Sequence, residues 1–496
     1  MARTQRSFSL GVLLLGLGVV LFALGAKLAL IHRYGTDQPY ADQWAAEGMF
    51  LLRNPLNFDL NLAMVTAPHG EHRPGLMRLW VRGLIVANDG QWDCFVELVA
   101  DLLIYGAFLA VAWRWVASLF SGRWLSFVAV LLAVLFALPC VYENYLWGFQ
   151  SQFLFMFLCG LLHVYGTLAD PRPGVRWWLG QFAGLLGLFS IAAGSMSAAA
   201  LVAMAVIEFL RGRRTAWVWS TLAANIVLLG FGVWLLPAAA VSAAPLSDRL
   251  AQVLAGLRYL LGWPWPGAWW SIALQIPWVV LLVTTWRHWV KPTGDRMVCA
   301  TGLWVGGMAF AIAYGRAVTP TTIGVRYYDV LVLGLVVNVL ALALFASSGP
   351  PRFRRWWVAI GAVWLAVVGT GLWHYNEPGE LQALFKFQHD YALEQRQLVK
   401  EFLVTDNPAQ LQEFANASGR FPHFQLTLEL LRDPDVRSLL PPSLTVDGHA
   451  GVLTWIARRI ARGWTLVFGA GVLGLIGGAF LLRRGEAKLP PAPSPA

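Results

Sequence analysis

The sequence predicts an all-α chain, a polytopic membrane helix bundle of about twelve transmembrane helices carrying a small helical external domain. Three observations predict it. Apolar residues make up 57% of the 496 and charged residues only 13%, with 26 tryptophans, a composition foreign to soluble domains. The apolar residues gather in runs of roughly 20, the length that crosses a hydrocarbon core. Arginine and lysine fall in short clusters between alternate runs rather than on one basic face, so the formal net charge of +10 reports topology and excludes nucleic acid as the partner.

The runs lie near 8–31, 94–118, 124–142, 148–169, 176–194, 196–211, 215–236, 269–288, 297–315, 327–348, 356–374 and 463–482. The first is longer than a signal-peptide core and lacks a small-residue cleavage site, so it is read as a retained anchor. Residues 76–88 are apolar but carry Arg78 and Arg82, which fits a helix lying in the interface rather than a span. With the N-terminus inside, the cytoplasmic loops receive Arg123; Arg172 and Arg176; Arg211, Arg213 and Arg214; Arg287, Lys291 and Arg296; Arg352, Arg354 and Arg355; and finally Arg483 and Arg484. Both termini are then cytoplasmic.

Four pieces fall outside: 32–93, the short stretch from Glu143 to Gln150, 237–268, and 375–455. The last has helical punctuation, since Asn407-Pro408 and Asp433-Pro434 each set a capping residue before a proline at the first helical position. The chain therefore divides into a bundle at 1–374 with its first external loop at 32–93, a small helical domain at 375–455, and a last transmembrane helix at 456–496 ending in a disordered proline-rich tail. Cys94, Cys140, Cys159 and Cys299 show no metal-ligand spacing and read as buried thiols.

The most polar stretch for its place is Tyr34 to Trp44, leading into Pro68-His-Gly-Glu-His-Arg-Pro74. Asp42 has two readings, a general base that takes a proton from an acceptor hydroxyl or a loop aspartate closing an Asx-turn. Asp37 beside it, between Gly35 and Pro39, has the stronger turn signature, and Glu71 is the third carboxylate of the loop. His69, Glu71 and His72 could bind a divalent metal, but their spacing matches no standard motif, so no metal site is assigned. Arg73, Arg78 and Arg82 place guanidinium groups on the side that the topology otherwise keeps poor in arginine; Arg316 and Arg326 do the same further on. Planar guanidinium binds phosphate bidentately. Glu143, Asn144, Trp147, Gln150 and Gln152 mix carboxylate, amide and ring in the manner of sugar recognition, although an aromatic belt accounts for the rings alone. Asp93, Glu97 and Asp101 recur every four residues down one helix face, either as a transport path or as bundle-stabilising partners.

Asp42-Gln-Trp44, His69-x-Glu-His-Arg73, Glu143-Asn-x-x-Trp-Gly-Phe-Gln150, Gly194-Ser-Met and Arg326-Tyr327, in this order among the spans, resemble a bacterial membrane family related to glycosyltransferases of the GT-C fold. The resemblance covers most of the chain, through short motifs. It implies a multi-pass inner-membrane enzyme whose donor is a polyprenyl-phosphate-linked sugar, working among membrane lipids at the outer face. Carried over, Asp42 takes the acidic role with Asp37 and Glu71 in reserve. Arg73, Arg326, Arg316 and Arg78 hold the donor phosphate. His69, His72, Trp44, Glu143, Asn144, Trp147, Gln150 and Tyr327 face sugar or acceptor. The paired first-loop acids of some members are absent, which leaves open a divalent metal as cofactor. Two other classes compete: a lipid or ion transporter using the carboxylate stripe, and a non-catalytic envelope-assembly protein.

Overall fold

The computed structural model describes residues 9–49, 62–170, 172–237, 246–265, 267–285, 294–316, 324–348, 351–418, 424–445 and 450–487. The proline-rich tail, part of the loop 237–268, Arg287 and Lys291 lie outside the described residues. Among the described residues the structure is helical, and its β-type pairing is one antiparallel bridge between His69 and His72.

The helices used below are α1 (Leu10–Tyr34), α2 (Gly75–Ala87), α3 (Cys94–Leu119), α4 (Gly122–Ala137), α5 (Ser151–Ala169), α6 (Val175–Gly187), α7 (Met196–Leu210), α8 (Ala216–Trp234), α9 (Leu246–Gly262), α10 (Ile276–Thr285), α11 (Gly294–Gly315), α12 (Tyr328–Ser348), α13 (Pro351–Tyr375), α14 (Pro378–Thr405), α15 (Ala409–Ser418), α16 (Phe424–Arg432), α17 (Pro434–Leu439), α18 (Val452–Arg462) and α19 (Trp464–Ala487). Nine of the described helices are long and apolar enough to cross a membrane: α1, α3, α5, α7, α8, α11, α12, α13 and α19, with α5, α7 and α12 extended by the turns that lead into them.

Three expected spans are shorter or broken. The run 124–142 forms α4 and stops at Ala137, because Pro139 disfavours helical backbone at Leu138 and opens a separate turn. The run 176–194 gives the 13-residue α6, about 20 Å long at 1.5 Å per residue, before the chain turns at Phe189 and Ser190. The run 269–288 divides at Leu274 and Gln275 into Ala268–Ala273 and α10, where Pro277 lies in the first helical turn and needs no N–H partner there.

α12 is the hub. It is apolar all round and buried along almost its whole length, as a helix enclosed by others must be. α1 packs along α19 through glycines. A Cβ on Gly18 would stand 2.5 Å from the Leu475 backbone nitrogen, one on Gly25 2.6 Å from the Phe468 Cα, and one on Gly478 2.7 Å from the Leu15 nitrogen. The two backbones therefore approach as closely as small-residue membrane seams allow.

Outside the bundle, Asp433 caps α17 through its bond from the Asp435 amide at 2.9 Å, and Asn407 accepts from the Ala409 amide at 3.1 Å, as the proline punctuation predicts. These helices share one apolar core with the first loop: Trp44, Met77, Trp92 and Trp147 pack with Val399, Phe402, Leu428 and Leu431. Gln395 donates to the Pro39 carbonyl at 3.1 Å, and Gln38 bonds the Ala392 carbonyl. The segment after residue 375 is thus the outer wall of the first loop.

Candidate functional site

The first loop is held by a guanidinium. Arg78, on α2, donates to the carbonyls of Ala46, Met64, Val65 and Ala67 at 2.5 to 3.2 Å, tying both arms of the loop to one buried side chain. Burial lowers its pKa to about 10 against the attraction of Glu47, and it stays cationic at neutral pH. On one arm, Ala41 adopts a left-handed conformation (φ 47°), and the Asp42 carbonyl then accepts from the Ala45 and Ala46 amides at 3.1 and 2.7 Å. The main chain of Asp42 thus starts the turn Trp44–Gly48, while its carboxylate makes no hydrogen bond or ion pair among the described residues. The Asx-turn reading does not hold: the Asp42 carboxylate is half-buried and unpaired on the wall of a cavity.

That cavity has a volume of about 620 Å³ and lies between the first loop, the start of α5, the end of α11 and the turn before α12. Into it come Asp42, His69, Glu71, His72, Arg78, Gln150, Arg316 and Arg326. Arg326 donates from Nη1 to Glu143 at 3.1 Å, and its amide bonds the other Glu143 oxygen at 3.1 Å. Arg316 pairs with Glu71 and donates from Nε to the Tyr327 hydroxyl at 3.2 Å. Guanidinium carries five N–H donors, so each arginine keeps donors beyond these bonds. Gln150 is fully buried, with neither its amide oxygen nor its nitrogen partnered. A buried amide without a protein partner on a cavity wall can meet a polar ligand there.

His72 accepts a bond from the Ala192 amide at its Nδ1 (3.2 Å), which assigns the proton to Nε2, 3.4 Å from Glu71 Oε1. Burial lowers its pKa to about 4 despite the Glu71 carboxylate, with Arg316 adding to the depression, so it is neutral at physiological pH. With Nδ1 so engaged, His72 has only Nε2 left for a metal. Among the described residues no three His, Cys, Asp or Glu side chains are placed to share an ion.

The remaining sequence candidates stand elsewhere. Arg73 is turned away, donating to the carbonyls of Leu235 at 2.7 Å and Thr66 at 2.8 Å, where it pins α8 to the loop. Asp37 is buried against Arg458 (2.9 Å) and the Ser443 hydroxyl (2.7 Å), which makes it a strut to the outer helices. Trp44 and Trp147 are core: Trp44 meets Trp92 edge-on at 5.7 Å, and Trp147 donates to the Tyr40 carbonyl at 3.1 Å. Glu143 and Asn144 stand behind the cavity wall, Asn144 bonding the Arg326 carbonyl and Asp329, both at 2.8 Å. Tyr327 supports the two arginines, through its hydroxyl to Arg316 and with its ring 5.4 Å from the Arg326 guanidinium carbon.

The carboxylate stripe is enclosed rather than open. Asp93 caps α3 and accepts from Thr454 at 2.6 Å, Glu97 accepts from Gln43 at 2.9 Å and Trp92 at 3.0 Å, and Asp101 accepts from Trp80 at 2.9 Å. Sequence reasoning missed Phe149, Phe153, Met64 and Leu426 as apolar lining of the cavity, because nothing local separates them from core. Gln152, two residues past Gln150, also lines it; the amide repeat at the head of a span was the readable signal. No family model, curated protein or solved structure matches this chain.

Proposed function

We propose that the protein is a membrane glycosyltransferase that moves a sugar from a polyprenyl-phosphate donor to a cell-envelope glycan, lipid or protein acceptor. The reading places it in the bacterial inner membrane with about twelve crossings in a GT-C-like bundle, both termini cytoplasmic and the cavity at the outer face. The observation that carries it is the unpaired Asp42 carboxylate sharing one open cavity with Arg316 and Arg326. Asp42 accepts the acceptor hydroxyl proton as that oxygen forms its bond to the anomeric carbon. The bond from the anomeric carbon to the phosphate oxygen breaks on the opposite face, inverting the centre. The electron pair leaves on the polyprenyl phosphate, where the guanidinium groups stabilise the added charge. Gln150, Gln152 and His69 supply amide and imidazole contacts for sugar hydroxyls, and a cavity of about 620 Å³ lies within the range for a ligand of that size.

The test is transfer of a labelled sugar from a polyprenyl-phosphate donor by the purified chain, with Asp42→Asn alongside. No transfer from any polyprenyl-phosphate sugar, together with no donor-dependent change in melting temperature, overturns the proposal. Cysteine placed at Gly35 should react with an impermeant reagent in intact cells and cysteine at Gly212 should not; the reverse pattern would invert the topology.

A further inference from the structure

A second pocket of about 260 Å³ opens where the outer end of α1 meets α14 and α18. His32, His389, Arg396, Arg458 and Arg462 line it, against one carboxylate, Asp37. Asp37 is spent on Arg458 and Ser443, and the Arg458 side chain is still 46% exposed. Arg396 and Arg462 make no hydrogen bond or ion pair among the described residues. His389 is held by the Tyr34 carbonyl at 3.0 Å, which turns its ring to the same opening.

The helix that brings two of these arginines has the build of an interfacial helix. α18 buries Thr454, Ala457 and Ala461 against the protein and exposes Trp455 (64%) on one flank and Ile456 (37%) and Ile460 (44%) on the other, with Arg459 over the Trp455 ring between them. Arg458 and Arg462, four apart, share the strip between the buried face and Trp455, on the far side of the helix from Ile456 and Ile460. Gly463 then turns the chain directly into α19, so the C-terminal end of α18 stands at the head of an apolar helix long enough to span a membrane. Its position relative to the bundle is fixed by bonds from Thr454 to Asp93 and from Arg458 to Asp37, at the end where the first loop lies. This is the end opposite Arg123, Arg211 and Arg352, and a basic cluster there is not accounted for by topology.

We propose that this pocket binds the phosphodiester of an anionic lipid headgroup, with the acyl chains passing the exposed Trp455 ring. Guanidinium groups from two helices, α14 and α18, suit the oxygens of a phosphate, and the exposed Trp455 ring beside them, at the head of the apolar α19, commits the source to a lipid rather than a soluble anion. The site lies apart from the Asp42 cavity and stands whether or not the chain transfers a sugar.

The test uses the full chain in nanodiscs of phosphatidylcholine with and without phosphatidylglycerol, followed by mild detergent release and native mass spectrometry. Wild type should retain phosphatidylglycerol at least about tenfold over phosphatidylcholine, and Arg396→Gln/Arg462→Gln should lose that preference while melting as wild type does. Arg396→Lys/Arg462→Lys should recover part of it. Equal retention by wild type and the glutamine pair, or equal retention of the two lipids, overturns the proposal. Displacement of the lipid by inorganic phosphate at equal concentration overturns the lipid assignment, since the acyl contacts would then contribute nothing.

Discussion

Asp42 and Glu47 belong to one loop, and the structure treats them oppositely. Asp42 faces the cavity without a partner. Glu47 is fully buried, accepts from Gln43 and Trp92 at 3.2 Å each, and is joined through both of these donors to Glu97. Burial pushes the Glu47 carboxyl up to about 8, against those two hydrogen bonds and Arg78, so it is largely protonated at neutral pH. The difference teaches that scarcity of charge in an apolar chain marks scaffolding as well as candidate chemistry, and that what the carboxyl faces, core or cavity, tells them apart. Glu47 meets donors inside the core through one oxygen while its other oxygen is buried without a partner among the described residues; Asp42 faces an open cavity.

The largest effect that would break this comparison is kinetic. Asp42→Asn should lower transfer by about 10² to 10⁴ with donor affinity nearly unchanged, whereas Glu97→Gln should leave turnover within about threefold. Equal losses from both variants, measured on protein of matched fold, would erase the distinction.

Next comes the loop itself. Arg78→Ala strands four carbonyls and should destabilise the protein by about 2 to 4 kcal/mol, seen as faster amide exchange across residues 62–67. Unchanged exchange there would remove Arg78 as the holder of the loop.

Arg326→Gln should raise donor KM by about 10- to 100-fold, while Arg73→Gln should leave KM within a few-fold because Arg73 serves carbonyls. A larger KM effect at Arg73 would return it to the donor site.

Stability against pH sharpens the same contrast. Glu47 holds its proton in the folded state up to about 8 but only to about 4.5 when exposed, so it costs stability progressively as pH rises through that window. Glu47→Gln should flatten the decline by a few degrees of melting temperature between pH 5 and pH 8, estimates that follow from about 1.4 kcal/mol per unit. His72 has the opposite sign. Its folded pKa is depressed to about 4 from 6.5, so its contribution is complete above 6.5 and is lost as pH falls toward 4; His72→Gln should remove that acid-side loss. Unaltered melting profiles would place both groups in water.

The smallest effect belongs to Asp37→Asn, expected to cost about 1 kcal/mol of stability through the Arg458 and Ser443 contacts and to change turnover less than threefold. A loss as deep as that of Asp42→Asn would exchange their roles.

Much of this was legible beforehand, for reasons that differ by residue. The all-helical membrane character followed from composition and run length, and the α17 cap from Asp433-Pro434. Asp42, Glu71, Gln150, Arg316 and Arg326 were found because polar groups at the water-facing ends of apolar runs are few. Arg73 and Trp147 were misplaced because a guanidinium reads the same in sequence whether it meets phosphate or carbonyls, and an indole the same whether it stacks on sugar or core. Glu47 went unremarked because it lies off the four-residue spacing that drew attention to Glu97. The breaks at Leu138 and Gln275 were signalled by Pro139 and Pro277, but hydropathy averages over one proline.

The glycine seam between α1 and α19 has a consequence for how the chain is made. α1 emerges from the ribosome before every other helix named here, and its partner emerges after them all. Until then Gly18 and Gly25 lack the α19 backbone that lies against them in the folded chain, so the seam closes only when α19 arrives. A chain halted before Trp464 should insert its earlier helices and yet remain open along that groove, with accelerated degradation and cysteine crosslinks from α1 to foreign spans as the readout.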